Sequence, residues 1–313
     1  MRVLFPRFLA IVLFVGAACG AATAPMPTPM QQPSGWAAAP SFPTTVTDFQ
    51  NRSVTVPKPP ERIVSIGPSI TEFLFALGAG PRVVGVDDFS DEPAAAKQLV
   101  KVGGIKVNFE QVVALKPDLV LTVKFSDGTI EKLAGAGLLV LVVDPQTIGD
   151  VARTAILLGR VVGSGGDVMA RDIETRVDAV RSKTSSAPIK PRVYHEIDAS
   201  DPTKIFTVGP GSYIQDLIEI AGGQNIAARA TSAYPQLSAE EILRGDPEII
   251  VLAAADYSAK PEQVAARSGW SATTAVKNNR IVSIAPNLIN RPGPRVGEAA
   301  EAYARLVHPE FFR

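Results

Sequence analysis

Two stretches of this chain repeat one unit, and no other feature narrows the choice of folds as far. NFEQVVALKPDLVL (108–121) and SAEEILRGDPEIIVL (238–252) superpose with Glu110 on Glu240. Pro117 then meets Pro247, Asp118 meets Glu248, and both stretches read as a helix leading into an apolar strand. A looser echo joins SITEFLFALGAG (69–80) to SYIQDLIEIAGG (212–223), where each helical pattern closes on glycine. A unit written twice predicts two lobes of similar build with a cleft between their strand ends, where ligands sit in such folds.

The pattern around these echoes agrees. Strands are predicted at 63–66, 83–86, 119–122 and 138–143, with helices at 71–77, 108–115 and 129–134 between them. Helix 148–162 follows. Runs such as LVLVV need cover on both faces, which argues an α/β fold with mostly parallel sheets. After Ser164-Gly165-Gly166, a polar amphipathic helix over 167–184 carries Val168, Ile173, Val177 and Val180 at roughly helical spacing. It is too polar for a central core and is expected to cross between lobes. The alternation then restarts with strands at 192–196, 249–253 and 280–284 and helices at 212–221, 239–245, 270–276 and 294–306. The expected organisation is a lobe at 61–165, an interlobe helix at 166–187 and a second lobe at 188–313.

The first 60 residues differ in kind. Arg2 and Arg7 precede a short apolar run at Phe8–Val15, and small residues lead to Cys19. That is the layout of a secretory signal, too short to span a bilayer stably. The only cysteine follows Gly16-Ala17-Ala18, which resembles a bacterial lipoprotein processing box, although Gly16 stands where Leu is usual. The alternatives are a lipid anchor on Cys19, with a signal over 1–19, and plain secretion cut near Cys19 or Ala22. Residues 20–60 are rich in Pro and Ala and read as a tether, with a peripheral strand or hairpin over Phe42–Val56.

Composition excludes several classes. Thirty-one Lys and Arg cancel thirty-one Asp and Glu, and no basic tract offers a surface for nucleic acid. Two histidines and one cysteine exclude a Cys/His metal cluster and an intramolecular disulfide. No dinucleotide fingerprint, phosphate loop or nucleophile elbow is present. His195 lies near Glu196, Asp198 and Asp201 but reads as structural or ligand-facing, and Asp87-Asp88 as a strand-ending turn. No enzyme, no cofactor and no bound metal are therefore expected.

RIVSIGPSITEFLFALG (62–78), VVGVDDFSDEP (83–93), VGG (102–104), FTVGPGSYIQDLIEIAGGQNIA (206–227) and NRPGPRV (290–296) stand in one order with the first echo. In this the chain resembles the substrate-binding proteins of ABC importers for cobalamin, iron-siderophores and haem, and among them the vitamin B12 binders. The resemblance runs from about Arg62 to Phe311. It implies a class III periplasmic binding protein fold, extracytoplasmic location and action as a monomer. It also implies delivery of cobalamin or a related corrinoid to a permease dimer with its ATPase; a ferric siderophore or haem is the alternative cargo.

The positions matching the ligand-lining turns are Ser69, Phe89, Phe206, Tyr234, Asn287 and Arg291. Glu110 and Glu240 match the glutamates that meet permease arginines. Gly104 and Val123 fall where large aromatics line the cobalamin cleft, so a wider pocket is expected there, with Phe125 as a substitute ring. Lys106 and Lys124 would suit an anionic ligand; Arg291 and Arg295 would serve a ferric siderophore, with a structural role in the C-terminal lobe as the alternative for Arg295. For haem, Tyr194, His195 and Tyr213 would be the available iron ligands.

Overall fold

In the computed structural model, residues 41–201, 203–253 and 260–312 are described. Cys19, the signal and the first part of the tether lie outside them. The body begins with an antiparallel hairpin, β1 (Thr44–Thr47) and β2 (Ser53–Val56), in register Thr44 to Val56. The alternating TTVT and SVTV patterns bury Val46, Val54 and Val56. The buried Asp48 carboxylate ties down the turn: it accepts from the backbone N–H of Gln50 (2.8 Å), Arg52 (2.9 Å) and Val142 (3.3 Å). Burial pushes this carboxyl up, but the donors of Arg52, Gln50 and Val142 outweigh it and hold it below its ordinary value. The hairpin expected over Phe42–Val56 is thus present and joins the N-terminal lobe.

That lobe continues β3 (Ile63–Ile66), α1 (Pro68–Ala76), β4 (Val83–Val86), β5 (Val100–Lys101), α2 (Phe109–Ala114), β6 (Leu119–Thr122), α3 (Thr129–Gly135) and β7 (Val140–Val142). Its strands form one all-parallel sheet in the order β5-β4-β3-β6-β7. IVSI and LVLT are buried at every position, as a sheet covered on both faces requires.

Two helices follow with three residues between them, α4 (Ile148–Val162) and α5 (Gly166–Thr184). A capping box of Thr147 and Asp150 starts α4. The polar α5 buries Ala170, Ile173, Val177, Val180 and Thr184 along one stripe, while Val168 stays 65% exposed. At the junction, a Cβ on Gly159 would overlap the Gly166 backbone and one on Gly166 the Ala155 carbonyl. Only glycine at both positions lets these backbones meet.

The C-terminal lobe holds β8 (Arg192–Asp198), β9 (Ile205–Thr207), α6 (Tyr213–Ile220), β10 (Gln224–Asn225), β11 (Gln236–Leu237), α7 (Ala239–Gly245), β12 (Ile249–Leu252), α8 (Pro261–Ala265), α9 (Thr274–Lys277), β13 (Ile281–Ser283), α10 (Pro286–Ile289) and α11 (Val296–Val307). Its sheet runs β11-β9-β8-β12-β13, with β10 also on β8. β8, β10, β12 and β13 are parallel, so they repeat β3, β4, β6 and β7. The antiparallel β9 and β11 are an addition that the first lobe lacks. The predicted helix at 270–276 is instead a 3₁₀ turn, Trp270–Ala272, followed by the four residues of α9.

Candidate functional site

Parallel strands bring their C-terminal ends to one edge, and four of the expected ligand residues follow those ends: Ser69 after β3, Phe89 after β4, and Asn287 and Arg291 after β13. The other two, Phe206 and Tyr234, belong to the antiparallel addition, on β9 and just before β11.

A buried polar network shapes the turn after β4. Asp87 accepts from the backbone N–H of Gly67 (2.8 Å) and Phe89 (2.9 Å) and from the Ser90 hydroxyl (2.5 Å). Ser90, Thr71 and Ser65 continue the chain of hydroxyls at 2.8 Å each, and Lys101 donates to the carbonyls of Asp87 and Ser90. Asp87 is thus the turn former that its place at a strand end predicts. The turn presents Phe89 with 54% of its surface exposed. A Cβ on Gly104 would approach the Phe89 ring to 2.8 Å. The glycine therefore makes room for an aromatic rather than leaving an empty pocket, which corrects the expectation of a wider site at 104. Phe125 packs partly buried against the lobe core that includes Val112 and Ile130. Val123 lies against Gly67. Lys106 and Lys124 are exposed.

Across the gap, the loop leading into α11 crosses onto the first lobe. Arg295 grips Glu72 with two bonds of 2.8 Å, and Arg291 adds a third at 3.2 Å. Arg291 also reaches Asp91 (2.7 Å) and the Phe89 carbonyl (3.1 Å), and the Asn287 amide reaches Asp91 at 3.3 Å. Glu72 is 5% exposed and the Arg291 side chain 11%. Burial pushes Asp91 up, but Arg291 and Lys97 prevail and hold it below its ordinary value. Bonding to Glu72 raises Arg295. Arg295 therefore joins the lobes instead of serving the C-terminal lobe alone. Arg291 meets carboxylates of the protein itself, Glu72 and Asp91. Ser69, buried at the start of α1, lies directly beneath this loop, with Gly293 above it.

The second wall is a cavity of about 360 Å³ lined by Ile197, Asp198, Phe206, Tyr213, Ile214, Tyr234 and Asn290. Phe206 on β9 pairs with Gln236 on β11, and the N–H groups of Thr207 and Gly209 donate to Pro235 and Ala233, so the added strands carry Phe206 and Tyr234 to one place. These rings are 38% and 45% exposed. Burial raises the Tyr234 hydroxyl, and Asp144 adds to it. A larger cavity, about 460 Å³, lies among α4, α5 and α6 and is walled by Glu174, Asp178, Asp216 and Glu219. None of the expected ligand residues lines it.

Sequence reasoning missed Glu72 and Asp91, and named Tyr213 only as an available iron ligand. Glu72 had a readable signal, a lone carboxylate inside an apolar helix. His195 is fully buried, with Nδ1 at 3.0 Å from the Tyr303 hydroxyl.

Glu110 and Glu240 are exposed and each is the second residue of its helix, α2 or α7. Asn108 and Ser238 cap these helices through Gln111 and Glu241. Glu240 pairs with Arg244 at 2.8 Å. The surroundings repeat as well. Lys116 and Asp246 both take positive φ (48° and 38°) just before the matched prolines. Asp118 and Glu248 accept the backbone N–H of Arg62 and Arg192 at 2.9 Å, and those arginines cap the preceding helix through the carbonyls of Leu115 and Asp246.

Comparison with known proteins agrees with this architecture. The profile of the periplasmic binding protein family matches residues 63–288. A cobalamin-binding protein of Halobacterium salinarum is 35% identical over 299 residues, covering 90% of this chain and 79% of that protein. An uncharacterised ABC transporter substrate-binding lipoprotein of Bacillus subtilis is 34% identical over 281 residues, 87% of this chain and 88% of that one. Among solved structures, the periplasmic vitamin B12 binding protein of Vibrio cholerae superposes with a TM-score of 0.68 at 26% identity, covering 80% of this chain and 97% of that one.

Proposed function

The chain belongs to the periplasmic binding protein family, and from that premise we propose that it captures cobalamin or a related corrinoid and hands it to a permease through Glu110 and Glu240. It is an extracytoplasmic substrate-binding protein of an ABC importer, a family of binders rather than enzymes. The observation that carries the ligand assignment is the sequence likeness to cobalamin binders, joined by a cleft whose walls offer Phe89, Phe206 and Tyr234. A corrin is wide and partly apolar, with amide arms at its edge. Exposed rings supply apolar contact, and Asn287, Arg291 and Ser69 are the polar groups assigned to orient it. Cobalamin brings its own cobalt and lower base, so the protein need not ligate the metal. For a lipid-anchored protein the tether would start at Cys19; we assign the anchor to that residue, with the monomer as the working unit.

Isothermal calorimetry with cyanocobalamin, haem and a ferric siderophore tests the reading. Saturable one-to-one binding of cyanocobalamin, with submicromolar affinity, is expected. Such affinity for an iron complex alone would overturn the ligand assignment while leaving the importer class intact.

A further inference from the structure

We propose that the Tyr213 hydroxyl is a ligand-binding donor in the second wall of the cleft, directed at an amide carbonyl on the periphery of the bound corrinoid. This rests on the corrinoid reading and assigns a role to a residue outside its set of contacts.

Three tyrosines are buried among the described residues, and two are partnered. Tyr194 donates to Glu196 at 3.3 Å, and Tyr303 pairs with His195 at 3.0 Å. Tyr213, 3% exposed, has a buried Oη with no hydrogen-bond partner among the described residues. Folded proteins pair nearly all such groups, because an orphaned one forfeits its hydration without return. Of the buried atoms left without a hydrogen-bond partner among the described residues, Asp91 Oδ1, Ser164 Oγ, His195 Nε2 and Tyr213 Oη, only the last belongs to a residue that lines the 360 Å³ cavity, together with Phe206 and Tyr234. A partner that arrives with the ligand accounts for it.

The chemistry of the donor is also fixed. Burial raises the Tyr213 hydroxyl well above its ordinary value, and Tyr234 and Glu72 act in the same direction. Without ligand it stays a neutral phenol at physiological pH, suited to donate to a carbonyl. Phe206 and Tyr234, the exposed rings of the same wall, line the cavity with it.

The test compares wild type and Tyr213→Phe by calorimetry with cyanocobalamin and by thermal unfolding without ligand. The variant removes one oxygen and keeps the ring. About tenfold weaker binding is expected, the loss of one hydrogen bond. The unfolding midpoint without ligand should be unchanged or higher, since an unpaired group has gone. Equal affinity of the two proteins would overturn the proposal and leave the corrinoid reading standing. Absence of cyanocobalamin binding in wild type would overturn both. If haem binds instead and shows a phenolate-to-iron band that Tyr213→Phe abolishes, Tyr213 is an iron ligand and the neutral-donor assignment is wrong.

Discussion

His195 shows how an isolated polar residue is handled at the centre of a lobe. It sits on β8 with its Nδ1 at 3.0 Å from the Tyr303 hydroxyl of α11, and its ring lies nearly parallel to that of Tyr303. Full burial lowers its pKa from 6.5 to about 3. The unfolded chain therefore takes up this proton more readily than the folded one. The stability His195 confers is complete above pH 6.5 and is lost as pH falls toward 3, with a slope of about 1.4 kcal/mol per pH unit. Chemical denaturation between pH 7 and 4 should show a shallower acid loss in His195→Gln than in wild type, whatever the variant's absolute stability. Parallel profiles would contradict this. The sequence placed His195 beside acids but could not say which way it faced. The strand register decides that, because one step along β8 reverses the side chain.

Among the elements, the longest and most apolar were the most legible. The parallel strands and the helices between them follow from four-residue apolar runs and glycine or proline punctuation. β5, β10 and β11 were not legible, since strands of two residues exist through their partners rather than through any pattern of their own. Phe206 and Tyr234 in the cavity wall depend on the pairing of β11 with β9, which is why their meeting could not be read ahead. The positive φ of Lys116 and Asp246 was equally hidden, neither residue being glycine. The matched helices α2 and α7 carry the docking proposal. Replacing Glu110 and Glu240 together by Ala should cut uptake of labelled cobalamin by about tenfold or more, because the lost charges act on encounter and orientation. Calorimetry on the same variant should return wild-type affinity. Unchanged uptake would remove the role given to this pair.

For the whole molecule, the contact between lobes is ionic on the cleft side and helical elsewhere. Glu72 joins Arg291 and Arg295 across the gap, and the Ile148 N–H donates to Asp216 at 2.9 Å from the start of α4. Breaking one member of a buried ionic set leaves charges unpaired, at a cost of about 3 kcal/mol. Glu72→Gln should therefore unfold earlier by about that amount, and small-angle scattering should show a wider separation of lobes. A variant with wild-type stability and an unchanged scattering profile would show that these bonds do not hold the cleft.

The glycine contact between α4 and α5 bears on how the protein recognises its cargo. With backbone resting on backbone at Gly159 and Gly166, the two rods have no side-chain cushion on which to roll. Packing of this kind favours a gap already cut to size, with little entropy left to lose when it is filled.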